Sequence, residues 1–144
     1  MLLSRCPPDF TVRDMKGRKV IVIDDEADVV IYLETTLVDD CGLEVFTATN
    51  GKEGLDLIRK HDPDLVCLDI LMPESTGLSL YRTMKSTPEL QQIPVLIISG
   101  LELENDMATY LEGLPAPEAY LEKPVAPEVL IEMVTALVKE HSKD

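Results

Sequence analysis

Tryptophan is absent from the sequence, and only four tyrosines and two phenylalanines stand among its 144 residues. Any core must therefore be aliphatic. Basic residues are scarce: 13 Lys and Arg face 27 Asp and Glu, for a net charge of −14. Such a chain repels nucleic-acid phosphates and anionic lipid, so no direct nucleic-acid contact and no membrane contact are expected. Cysteine is also sparse. Cys6, Cys41 and Cys67 are odd in number and widely spaced, which excludes a disulfide framework and a zinc-ligand pattern. Cys67, inside the apolar run Leu65-Val66-Cys67-Leu68, reads as a small buried hydrophobe. Reduced thiols fit a cytoplasmic location. No apolar run approaches the roughly 20 residues of a membrane span. Met1-Leu2-Leu3 before Ser4 and Arg5 is too short for the apolar region of a signal peptide. A Gly-rich nucleotide-phosphate loop is missing too, so an ATPase or GTPase is not expected.

What is present fits one globular domain, with 45% hydrophobic residues. Residues 1–17, with Pro7-Pro8 and no sustained period, read as an N-terminal extension outside the core, and the domain is expected over residues 18–142. From Arg18 onward, short apolar runs alternate with longer helical stretches. The runs are Val20–Ile23, Leu43–Ala48, Leu65–Leu68, Val95–Ile98 and Ala119–Leu121. Several are unbroken and rich in Val and Ile, as strands buried on both faces should be. The helical stretches are 27–40, 51–60, 77–86, about 103–112, and 127–140 with Pro127 in its first turn. Five strand–helix alternations predict an α/β fold: a doubly wound parallel sheet with helices on both faces, in the flavodoxin-like order 2-1-3-4-5.

In a parallel sheet the carboxyl ends of the strands share one edge, where open α/β sheets bind ligands. The first strand ends in Asp24-Asp25 followed by Glu26, the third in Asp69, the fourth in Ser99 and the fifth in Lys123. Three close carboxylates repel one another unless a cation or a proton compensates them. A hard divalent ion with oxygen ligands suits them, and Mg²⁺ fits a small cluster that keeps waters. His61 and His141 lie far along the chain and are expected at the surface. A metal-bound carboxylate beside a lysine is suited to attack on phosphorus, with Asp69 as nucleophile, Lys123 holding one phosphoryl oxygen and Ser99 another. Taken singly, the Asp pair reads as a helix cap, Ser99 as a loop polar residue and Lys123 as a solvated lysine. Their joint placement at four strand ends is what carries the reading.

These residues resemble the receiver family of response regulators. Asp24-Asp25 looks like the family's metal-binding pair, and Asp69-Ile70-Leu71-Met72-Pro73-Glu74-Ser75-Thr76-Gly77 like its phospho-acceptor strand and loop. Val95 through Ser99-Gly100 resembles the fourth strand with its switch hydroxyl, and Tyr120 through Lys123-Pro124 the aromatic-x-x-Lys-Pro signature. Asn50-Gly51-Lys52-Glu53-Gly54-Leu55 matches the start of the second helix. The resemblance covers about residues 18–142. It implies Mg²⁺ held by Asp25, Asp69 and the backbone carbonyl of Leu71, with Asp24 in support. It implies a phosphoryl group taken from a phosphohistidine on a sensor histidine kinase or histidine phosphotransfer protein, and an unidentified downstream protein. It also implies a switch in which Ser99 moves toward the phosphoryl group and Tyr120 turns inward. The face formed by the fourth helix, fifth strand and fifth helix then changes. Many members pair through that face, so a monomer or weak homodimer is expected.

Four departures from the family pattern stand out. Leu71 and Leu101 are apolar where members vary, which predicts a dry site that loses its phosphoryl group slowly. Gly113-Leu114-Pro115-Ala116-Pro117-Glu118 is longer and richer in proline than usual. The leader is not a family feature, and only His141 to Asp144 follow the last helix, so no effector domain is expected. The chain is thus read as a single-domain signalling switch that catalyses only its own phosphorylation and dephosphorylation. The alternative is a pseudo-receiver or scaffold that binds partners without phosphorylation. An aspartyl-phosphate hydrolase would need a second acid two residues past the nucleophile, where Leu71 stands. On the first helix, Ile31 and Val38 fall off the stripe of Val30, Leu33 and Leu37; they are either a docking patch for the phosphodonor or part of a wide buried face.

Overall fold

Every residue of Val20–Ile23, Leu65–Leu68 and Val95–Ser99 is buried, which only strands covered on both faces can achieve. The computed structural model describes residues 15–100 and 107–141. The strands are β1 (Lys19–Ile23), β2 (Glu44–Ala48), β3 (Leu65–Leu68), β4 (Val95–Ser99) and β5 (Ala119–Glu122). They form one parallel sheet in the order β2-β1-β3-β4-β5. The helices are α1 (Ala27–Cys41), α2 (Gly51–His61), α3 (Thr76–Ser86), α4 (Met107–Tyr110) and α5 (Pro127–Glu140), with a 3-10 turn at Pro73–Ser75. The doubly wound, flavodoxin-like α/β architecture expected from the sequence is the one observed.

The period of two along each strand divides the core into two layers. Val20, Val22, Leu65, Cys67, Leu96 and Ile98 face Leu33 and Leu37 of α1 and Leu130, Val134 and Leu137 of α5. Ile21, Ile23, Val66, Leu68, Val95 and Ile97 face Ile58 of α2 and Leu80, Tyr81 and Met84 of α3. Local signals set the helix ends. Asn50 caps α2 by accepting a hydrogen bond from Glu53 N–H (2.8 Å), while Glu53 Oε1 accepts one from Thr49 N–H (2.9 Å). α1 stops at Gly42, whose left-handed backbone (φ 70°) lets its N–H reach Val38 O.

Three expectations are corrected. Met15, assigned to an extension outside the core, is fully buried in the α1–α5 layer. Gly17 N–H is bonded to Gly42 O (3.1 Å), so part of that stretch belongs to the body. At the end of the fourth expected helix, Leu111 and Glu112 form a turn instead of helix, and positions 103–106 of that expectation, like Leu101, lie outside the described residues. His61 is not a plain surface residue, because its ring stacks on Phe46 with centroids 3.7 Å apart. The proline-rich stretch is anchored to the body: Tyr81 Oη donates to Pro115 O, and Glu118 Oε1 accepts from Val95 N–H (2.8 Å).

Candidate functional site

The strand order decides what meets at the carboxyl edge. β1 lies between β2 and β3, and backbone pairing continues one step past the strands: Asp24 N–H bonds Ala48 O and Asp69 N–H bonds Ile23 O (3.1 and 3.0 Å). On the other side Lys123 N–H bonds Ser99 O (2.8 Å). Asp24, Asp69, Ser99 and Lys123 are thus fixed by the ladder itself, each at the last rung of a strand.

The carboxylates of Asp24, Asp25 and Asp69 converge, with one oxygen from each lying within 4.8 Å of the others. Asp24 and Asp69 are buried, while Asp25 is exposed. Into this cluster reaches the Lys123 ammonium, 3.0 Å from Asp69 Oδ2, 2.8 Å from Asp24 Oδ2 and 2.6 Å from Glu26 Oε1. Asp69 Oδ1 accepts from Leu71 N–H (2.8 Å), and Asp24 Oδ1 from Glu26 N–H (2.9 Å). The N-cap residue of α1 is Glu26, whose side chain makes no capping bond, so neither aspartate of the pair stands at the cap position.

Burial raises the Asp24 carboxyl above its ordinary pKa; Lys123 and the Glu26 N–H pull it back, and Asp69 adds a further push upward. Burial alone would lower Lys123, but Asp24, Glu26 and Asp69 outweigh it and hold the ammonium above its ordinary value. The cluster is therefore short of positive charge. Hard oxygen donors, two of them buried and compensated by a single lysine, fit a divalent cation such as Mg²⁺.

The remaining expected residues lie around this centre. Ser99 is fully buried, and its Oγ has no hydrogen-bond partner among the described residues. Tyr120, opposite Ile97 in the β4–β5 register, is 39% exposed. The Leu71 side chain is also exposed. Gly77 explains how the loop after Asp69 packs so closely: a Cβ there would strike the backbone oxygen of Asp69 and the Cα of Ile70. Glu26 is the residue that sequence reading undervalued. It appeared only as the neighbour of the acidic pair, yet its side chain reaches the lysine. Nothing in the sequence shows which way a helix-entry glutamate turns.

The family model for the response regulator receiver domain matches residues 20–135. The polar-differentiation response regulator DivK of Brucella anthropi is 34% identical over 115 residues, which cover 80% of this chain and 90% of that protein. DivK of Brucella ovis is 33% identical over the same length. Among solved structures, the chemotaxis response regulator CheY4 of Vibrio cholerae superposes with a TM-score of 0.74 at 26% identity, covering 85% of this chain and 99% of that one. The signal receiver domain of a histidine kinase from Syntrophus aciditrophicus gives 0.78 at 26% identity, covering 89% and 95%. The chain belongs to the response regulator receiver domain family of two-component signalling.

Proposed function

We propose that this receiver domain accepts a phosphoryl group on Asp69 in a Mg²⁺-dependent reaction and changes its α4–β5–α5 face in response. The observation that carries the reading is the convergence of Asp24, Asp25 and Asp69 with the Lys123 ammonium at one sheet edge. An Asp69 carboxylate oxygen attacks the phosphorus of a phosphohistidine; a P–O bond forms and the P–N bond breaks. The electron pair leaves on the imidazole, which takes a proton from water. Lys123 holds one phosphoryl oxygen, and the Leu71 N–H orients the carboxylate. Asp25, Asp69 and the Leu71 carbonyl would hold Mg²⁺, with Asp24 in support; the ion supplies charge neutralisation. Loss of the group is the reverse in kind: water attacks phosphorus, and inorganic phosphate leaves the restored carboxylate.

The buried Ser99 hydroxyl without a described partner supports its role as the group that turns toward a phosphoryl oxygen. The half-out Tyr120, on the strand beside Ser99, supports a ring that can move inward. The donor is a sensor histidine kinase or a phosphotransfer protein, and the setting is the cytoplasm. No helix among the described residues is long and apolar enough to cross a membrane. Ile31, 61% exposed, and Val38 lie open on α1, which favours a docking patch for the donor over a wide buried face. Ile31→Ser is expected to slow transfer from a phosphohistidine protein and to leave uptake from a small donor unchanged.

The test is incubation with acetyl phosphate and Mg²⁺, followed by intact mass. One added phosphoryl group is expected on the wild type and none on Asp69→Asn or without Mg²⁺. An unmodified wild type would leave the scaffold alternative in place.

A further inference from the structure

The Lys123 ammonium has three protons to donate, and three carboxylates stand around it: Asp24, Glu26 and Asp69. A phosphoryl group on Asp69 would bring further negative oxygens to this ammonium, which hydrogen-bonds Glu26 and Asp69 and has Asp24 Oδ2 2.8 Å away, so it would compete with the partners in place. Asp24 cannot turn to water, because its side chain is 2% exposed and its other oxygen is tied to Glu26 N–H. Asp69 is the acceptor itself. Glu26 differs from both, since its side chain is 60% exposed and makes the shortest of the three contacts, 2.6 Å.

Its backbone stays put while its side chain is free to leave. Glu26 N–H donates to Asp24 Oδ1 (2.9 Å), and Glu26 O accepts from Val30 N–H (3.1 Å) in the first turn of α1. The side chain makes no capping bond to that helix, and among the described residues its polar contact is the one with Lys123. A carboxylate hydrated in solvent loses little on leaving an ion pair at the surface.

We infer that Glu26 is a displaceable counter-ion that occupies the Lys123 ammonium until a phosphoryl group replaces it, and that it thereby restrains phosphorylation of Asp69. Glu26 acts through Lys123 and is a positioning residue. The inference rests on the proposed acceptance of a phosphoryl group by Asp69.

The test uses the full chain as wild type, Glu26→Gln and Glu26→Asp. Phosphorylation by acetyl phosphate with Mg²⁺ is timed by intact mass. Binding of beryllofluoride, a phosphoryl stand-in, and of Mg²⁺ alone is measured by calorimetry. Glu26→Gln is expected to phosphorylate about threefold faster and bind beryllofluoride about threefold tighter, the scale of one half-exposed ion pair. Glu26→Asp keeps the charge but is one methylene too short to reach Lys123, and it should behave like Glu26→Gln. Mg²⁺ affinity should stay within about twofold in both. Several outcomes would overturn the inference. If Glu26→Asp matched the wild type while Glu26→Gln was faster, bulk charge would be the cause. Unchanged or slower phosphorylation in both variants, or a large loss of Mg²⁺ affinity, would also overturn it. A phosphorylated wild type with unresponsive variants sinks this inference alone, whereas a wild type that takes up no phosphoryl group sinks the functional reading with it.

Discussion

Lys123 Nζ lies 3.0 Å from Asp69 Oδ2 although 54 residues separate the two in the chain. The contact exists because β4 and β5 continue the sheet outward from β3, so both side chains emerge at the same edge. Without the ammonium, Asp24 and Asp69 would be buried together with no positive charge among the described residues paired with them. Lys123→Met is therefore expected to lower the unfolding free energy by about 1–3 kcal/mol in Mg²⁺-free buffer. The loss is below that of a fully enclosed pair because Lys123 keeps some contact with water. Mg²⁺ should raise the Tm of this variant more than that of the wild type, since the ion supplies the missing charge. Urea denaturation measures the first effect and thermal unfolding with and without Mg²⁺ the second, and equal stability of the two chains without Mg²⁺ would contradict the reading.

Gly77 gives a sharper test of how the loop behind Asp69 is held. A Cβ at Gly77 would collide with the backbone of Asp69 and Ile70, and backbone cannot swing aside as a side chain can. Gly77→Ala should cost about 2–3 kcal/mol, an overpacking penalty. At Gly100 a Cβ would meet nothing within 4 Å among the described residues. Gly100→Ala should therefore change Tm little. Thermal unfolding of the two variants side by side decides it, and similar Tm values would refute the argument.

Much of the architecture could be read from the chain because a strand buried on both faces leaves an unmistakable mark: Val20 to Ile23 and Leu65 to Leu68 have no polar residue to hide. The convergence of the strand-end residues followed from the topology, since parallel order alone puts Asp24, Asp69, Ser99 and Lys123 on one edge. Side-chain direction outside the sheet was not legible. Glu26 and Asp28 are both acidic residues at the entry to α1, and nothing in the sequence distinguishes the one that meets Lys123. Met15 was missed for a related reason. One apolar residue among charges carries no period, and its burial beside a turn that bonds Gly17 N–H to Gly42 O is a tertiary contact.

Tyr81 ties α3 to the proline-rich stretch before β5. Its hydroxyl donates to Pro115 O, and burial, with Glu118 adding to it, holds the phenol above its ordinary pKa. Tyr81→Phe should cost about 1 kcal/mol near neutral pH, the net worth of one hydrogen bond. The difference should shrink in alkali. Above about pH 10 the unfolded tyrosine loses its proton while the folded one keeps it, so the unfolded state binds fewer protons and stability falls as pH rises. The phenylalanine variant lacks that term. Denaturation at neutral pH and above about pH 10 checks the sign, and a gap that widens in alkali would reverse the assignment.

Leu71 bears on how long a phosphoryl group on Asp69 would last. Its N–H holds Asp69 Oδ1 at 2.8 Å, and its side chain, two positions past the acceptor, is exposed. An exposed leucine side chain can neither donate a hydrogen bond to a water attacking phosphorus nor accept one from it. Leu71→Asn places an amide there that can orient this water without disturbing the backbone contact. The acyl phosphate should then hydrolyse about two- to tenfold faster, the range that one hydrogen bond to the attacking water can supply. The decay of phosphorylated chain after removal of the donor, followed by intact mass at constant Mg²⁺, measures it. An unchanged lifetime in Leu71→Asn would show that access of water is limited elsewhere.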